Sequence, residues 1–298
     1  MTTGPVSNRP LEVVLRRGAV VEARHRVQAV VVQDGRVIET AGDPTLVTYF
    51  RSSAKPIQAL PLARARPDLA DDELAIACAS HLASPGQIDA VRRLLADAPA
   101  AEDELECGPE PTRLQHNCSG KHAGFLALCR ARGWPSAGYR LADHPCQRLM
   151  LAEIAAAAEV DATSIPTAVD GCGVVTFALP LERMAHAFGL FPQLEGAVRV
   201  GDAMQAHPDL IRGPSSADTM LMRALPGWVA KGGAEGLFCA SSLDGVGVVV
   251  KVEDGETRAV WPAVAEILRR VGHDVGGDLG VVPVMNSLGD LVGQLAIA

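Results

Sequence analysis

Residues 28–40 read QAVVVQDGRVIET. Two apolar-leaning runs flank Asp34-Gly35, and a two-residue hairpin connection needs the positive φ that Asp-Gly supplies. Outward from this hairpin, LEVVLRRGAVVE at 11–22 and LVTYF at 46–50 also read as strands. The chain therefore opens as an antiparallel meander rather than a βαβ repeat. At the far end, GLFCASS (236–242) and VGVVVKVE (246–253) flank Asp244-Gly245, and VVPVMNS and LVGQLAIA read as closing strands. Between the two ends the pattern is helical, over 53–65, 71–79, 86–97, 120–132, 145–158 and 179–190, with one more helix at 257–272. Pro56 sits in the first turn of its helix, where no hydrogen bond is lost, whereas Pro61 marks an end or a kink. Strands from both chain ends around a helical middle give an α+β fold with a mainly antiparallel sheet. No repeat and no long linker interrupts 1–298, so one domain is expected, with residues 1–10 flexible.

Composition narrows the function. The chain has 298 residues, 48% hydrophobic and only 4% aromatic, so Ala, Val and Leu must fill the core through many small contacts. A net charge of −8 repels phosphate backbones and argues against nucleic acid as a partner. No apolar run approaches membrane-spanning length. Residues 1–10 lack the apolar region of a secretion signal, and the seven cysteines are odd in number, so a cytoplasmic protein with reduced thiols is expected.

Five segments carry candidate chemistry. In Arg51-Ser52-Ser53-Ala54-Lys55-Pro56, Ser52 and Lys55 stand three apart at a helix start and face one way. A serine hydroxyl needs a base, and a neutral lysine can be one. Cys78-Ala79-Ser80-His81 ends a helix and offers a second hydroxyl. His116-Asn117-Cys118-Ser119-Gly120-Lys121-His122 crowds donors and ligands at a helix N-terminus, an end that also favours anions. Asp170-Gly171-Cys172-Gly173 reads as a strand end bending around something. Lys231-Gly232-Gly233 leads into the strand of Cys239, and Lys251 ends the run VGVVV, either at the sheet rim or pointing into a site. Each has an ordinary reading too: N-caps, turns and solvated lysines. No C-x-x-C, H-E-x-x-H, P-loop, G-x-G-x-x-G or G-x-S-x-G is present, which argues against nucleotide enzymes and α/β-hydrolases.

Together, RSSAKP, CASH, HNCSGKH, DGCG and AKGGAEG resemble, in order, the motifs of the rhizobial-type (class 3) L-asparaginases of the asparaginase II family. The resemblance runs from about residue 11 to about 272. It implies a fold similar to serine β-lactamases and glutaminases, a homodimer, and hydrolysis of L-asparagine to L-aspartate and ammonia. It also implies pairing of Ser52 with Lys55 and of Ser80 with Lys251, zinc held by Cys118, Lys121 and Cys239, and substrate contacts from Asp170 and His122. Leu82-Ala83 after CASH, Val174-Val175 after DGCG and the loop 213–219 depart from the family pattern, so substrate preference is open. The alternatives are a glutaminase or other Ser–Lys acyl-transfer hydrolase and, from another class, a non-enzymatic metal- or amino-acid-binding protein.

Overall fold

Asp34 and Gly35 have φ of 50° and 70°, the left-handed pair that a tight hairpin needs, and they join β2 (Val20–Gln33) to β3 (Arg36–Ala41). The computed structural model of the chain describes residues 9–276 and 280–298. For residues 1–8, the expected flexible start lies outside the described residues. Besides β2 and β3, the strands are β1 (Leu11–Arg17), β4 (Val47–Tyr49), β5 (Thr167–Val169), β6 (Val175–Pro180), β7 (Trp228–Gly232), β8 (Leu237–Ser242), β9 (Gly247–Val252), β10 (Val282–Met285) and β11 (Leu291–Ile297). An eight-stranded antiparallel sheet runs β10-β11-β1-β2-β9-β8-β7, with β3 also paired to β2. The expected α+β arrangement, a sheet drawn from both chain ends, is what forms.

Two expectations need correction. LVTYF does not extend the opening meander. β4 leaves it and pairs with β6 in a separate three-stranded sheet, β4-β6-β5. The helix expected over 53–65 is broken. A 3-10 turn at Arg51–Ala54 leads into α1 (Lys55–Gln58), and α2 (Leu60–Ala65) restarts after Ala59 with Pro61 in its first turn. Proline lacks the N–H that would continue the preceding ladder, so the chain restarts there.

The remaining helices are α3 (Asp71–Ala77), α4 (Pro85–Asp97), α5 (Ser119–Arg132), α6 (Pro145–Ala158), α7 (Leu181–Leu190), α8 (Ala197–Ala206), α9 (Pro208–Ile211), α10 (Ala217–Ala224) and α11 (Val260–Arg270). α7 lies against β2 and β9. It comes so close that a Cβ on Gly247 would run into the Ala185 carbonyl and Gly189. The helices α1, α3 and α5 pack beside this layer around a core of Leu, Ile and Ala that includes Ile57, Leu60, Leu74, Ile76 and Leu126, all unexposed. Strand register sets the faces. Lys231 lies opposite Cys239, Cys239 opposite Val249, and Leu237 opposite Lys251.

Candidate active site

Four chain segments converge where α1 begins. The turn Arg51–Ala54 delivers Lys55, the loop after α3 delivers Ser80, the first turn of α5 delivers Cys118 and Lys121, and the turn between β5 and β6 delivers Asp170 and Cys172. Lys55 is fully buried. Its Nζ donates to Ser80 Oγ at 3.0 Å, to Cys118 Sγ at 3.3 Å and to the Ala79 carbonyl. Burial pushes its pKa down to about 8; the Cys118 thiolate opposes this, while Lys121 and Lys231 add to it. Lys121 Nζ donates to Cys172 Sγ at 3.1 Å. Burial works against its charge too, but Cys172, Cys118 and Asp170 outweigh burial and raise its pKa. Cys118 and Cys172 share a hydrogen bond that holds Cys118 well below the ordinary thiol range and raises Cys172. The result is a continuous polar chain, Ser80–Lys55–Cys118–Cys172–Lys121, no member of which is more than 5% exposed.

The structure brings together some of the expected residues and separates others. Ser52 stands on the turn before Lys55 and is partly exposed, but Lys55 gives its protons to Ser80, Ala79 and Cys118, not to Ser52. The expected pair of Ser80 with Lys251 does not form. Lys251 lies opposite Leu237 and Gln28, donates to the Val252 carbonyl, and has Glu235, Asp254 and Glu253 as its nearest charges. Burial lowers its pKa where it stands. Among the described residues Cys239 makes no hydrogen bond to Cys118 or Lys121. It shares a hydrogen bond with Ser53, and burial raises its pKa. Cys172, read in the sequence within Asp170-Gly171-Cys172-Gly173, is the thiol that contacts both Lys121 and Cys118. Asp170 accepts from Arg51 Nε and from the Gly171 N–H at Oδ1, both at 2.7 Å. His122 is buried, with Nδ1 2.7 Å from the Tyr139 hydroxyl and Nε2 without a hydrogen bond among the described residues.

Sequence reasoning missed two supports. Lys231 is fully buried and paired with Asp218 at 3.3 Å, and Asp218 also accepts from the Gly232 N–H at 2.6 Å. Ser53 Oγ donates to the Lys231 carbonyl at 2.9 Å, tying the turn before α1 to the edge strand β7. His81 is the second support. Its Nδ1 accepts from Ala83 N–H, Ser119 Oγ donates to the Leu114 carbonyl, and His81 Nε2 therefore donates to Ser119 Oγ at 2.8 Å. Burial lowers His81 to about 4, so it stays neutral and fixes the Ser80 loop against α5. A cleft of about 420 Å³ borders these supports, lined by Leu82, the 212–218 loop, Gly232, Gly233 and the start of α11, and its lining includes none of the polar chain.

The metal implied by the family resemblance can be judged from the donors present. Among the described residues no group of three or more His, Cys, Asp or Glu could hold a metal. Cys118, Cys172 and the Lys121 amine nevertheless form a buried set of two sulfurs and a nitrogen, linked through Cys172. Soft sulfur with nitrogen suits zinc. The set fits, on condition that Lys121 gives up its proton.

Comparison with known proteins identifies the family. The family model described as L-asparaginase II matches residues 13–296. Among solved structures the chain is similar to Mglu in its native form, with a TM-score of 0.50 and 14% identity over 85% of this chain. It spans 66% of Mglu, just under two thirds. It is also similar to a beta-lactamase from Mycobacterium bovis, with a TM-score of 0.35 and 15% identity over 82% of this chain and 94% of that one. At such identities the Mglu likeness speaks for the fold alone. No curated protein matches the chain. With its motifs in order and the family match running over nearly the whole length, the chain belongs to the L-asparaginase II family.

Proposed function

We propose that this protein hydrolyses the side-chain amide of L-asparagine, releasing ammonia and L-aspartate, with Lys55 as general base. Family membership supports an amidohydrolase. The observation that carries the residue assignment is the Lys55 amine, 3.0 Å from Ser80 Oγ, with its pKa brought to about 8 mainly by burial. A lysine at its ordinary value of about 10.4 would be almost wholly cationic near neutrality, whereas one near 8 is in part a free base. Neutral Lys55 removes the Ser80 proton as the oxygen attacks the amide carbon. The lysine then returns that proton to the departing nitrogen; in the second half, water deprotonated by Lys55 cleaves the acyl-enzyme, and Lys55 hands that proton to the departing Ser80 Oγ. Ser52 is the second candidate nucleophile, favoured because it is partly exposed where Ser80 is 3% exposed.

Zinc belongs to the same proposal, held by Cys118, Cys172 and Lys121 rather than by Cys239. Bound there, a Lewis-acidic cation would orient or polarise a substrate oxygen. A homodimer and a cytoplasmic setting remain part of this reading. No helix among the described residues is long and apolar enough to cross a membrane.

Ammonia release from L-asparagine, L-glutamine and nitrocefin turnover, measured for wild type and for Ser80→Ala, Ser52→Ala and Lys251→Met, test the reading. L-asparagine should be the preferred substrate. Ser80→Ala should lower kcat/KM about 10²–10⁴-fold and Lys251→Met should change it little. A preference for glutamine or nitrocefin would move the protein to another Ser–Lys hydrolase class. No turnover of any of the three would favour a binding protein. Loss of activity in Ser52→Ala alone would make Ser52 the nucleophile.

A further inference from the structure

Resting on the asparagine reading above, we infer that Arg51 is the subsite for the substrate's α-carboxylate, its guanidinium held in place by Asp170. Three observations carry this. First, Arg51 spends only Nε on Asp170, at 2.7 Å; among the described residues Nη1 and Nη2 make no hydrogen bond. Nη2 lies over Gly171, in the same turn as Cys172. A planar fork with two free N–H groups matches a carboxylate in a way that a lysine ammonium does not.

Second, exposure separates this cation from the others around it. The Arg51 side chain is 26% exposed, while Lys55, Lys121 and Lys231 are at most 4% exposed. Arg51 and its neighbour Ser52 are therefore the polar groups of the site that an arriving ligand meets. Third, the backbone is held in an unfavourable shape to achieve this. Arg51 has φ +49°, a left-handed conformation that a non-glycine residue adopts at a cost, and its N–H is pinned to Thr176 Oγ1 at 3.2 Å. Asp170, in turn, is a positioning residue. The Oδ1 that Arg51 contacts is fixed by the Gly171 N–H.

The ligand class that follows is an amino acid with a free α-carboxylate, not a peptide-linked or α-amidated one. Calorimetric titration with L-aspartate and with isoasparagine, its α-amide, isolates that group, because the two differ only there. Wild type should bind L-aspartate at least about tenfold more tightly, the scale of a charged hydrogen-bonded pair. Arg51→Gln should erase that preference. Arg51→Lys, which keeps the charge beside Asp170, should retain part of it. Equal binding of both ligands by wild type, or an undiminished preference in a folded Arg51→Gln, overturns the inference. Ammonia release from L-asparagine by wild type is scored separately. Release together with an Arg51-independent preference removes only the subsite. An Arg51-dependent preference without release removes only the amidase reading.

Discussion

Lys55 concentrates the conflict between stability and activity at one residue. Its folded pKa, about 8, lies below the ordinary lysine value because burial penalises the cation. Between about pH 8 and the unfolded value near 10.4 the unfolded chain binds the extra proton, so stability rises with pH through that window. Below it the full penalty applies. Lys55→Met should therefore raise Tm at pH 7, with a smaller gain at pH 10.5, while kcat/KM falls about 10²–10⁴-fold. Thermal melts at the two pH values check the first half; a lower Tm at pH 7 would show that the amine's hydrogen bonds outweigh its desolvation. For the wild type, the free base grows as pH passes 8. The rate should then climb with an apparent pKa about 8 and level off above it. His81, neutral down to about pH 4, should add no break between pH 5 and 8. A rate that falls from pH 7 to 9 with the fold intact would rule out Lys55 as the base.

At the scale of elements, α5 shows what the sequence could and could not say. Its start at 119 or 120 was legible from seven polar or small residues followed by an apolar run; Gly133, with a φ of 67°, closes the helix. The hairpin at Asp34-Gly35 was legible for the same local reason. Which lysine and which cysteine would meet Ser80 and Cys118 was not. Lys231 and Lys251 both stand on strands, and only the register places one opposite Cys239, beside Ser53, and the other opposite Leu237. Cys172 and Cys239 were equally ambiguous, because a turn between short strands β5 and β6 gives little periodicity to read. β4 was misplaced because three residues cannot specify their partner.

Packing also explains Gly120, one residue before Lys121. A Cβ there would collide with the Ile76 carbonyl of α3. Gly120→Ala should push α5 off α3, lower Tm and weaken zinc binding together. By contrast, a Cβ on Gly86 in α4 meets nothing within 4 Å, so Gly86→Ala should be neutral or stabilising by up to about 1 kcal/mol. Equal Tm values for the two variants would contradict this view of the α3–α5 contact.

Over the whole molecule, the candidate metal site joins parts that the chain keeps far apart. Cys118 and Lys121 belong to the helical layer, Cys172 to the small sheet, and Arg51–Asp170 is a second tie between the same two parts. A ligand that binds the folded state and not the unfolded one stabilises it by RT ln(1 + [L]/Kd), about 2.7 kcal/mol at a hundredfold excess over Kd. Zinc should therefore raise Tm, and a chelator should lower it to the metal-free value. Cys172→Ser should abolish the zinc-dependent shift, because it removes one of two sulfurs. Cys239→Ser should keep it, because that thiol faces Ser53. The two variants separate a tie between layers from incidental thiol binding: a free cysteine on the sheet would answer to either substitution, whereas a site shared by α5 and the β5–β6 turn answers only to the first. Should Cys239→Ser lose the shift while Cys172→Ser retains it, the ligand set implied by the family resemblance would be the right one and the thiol contacts around Lys121 would be unrelated to metal.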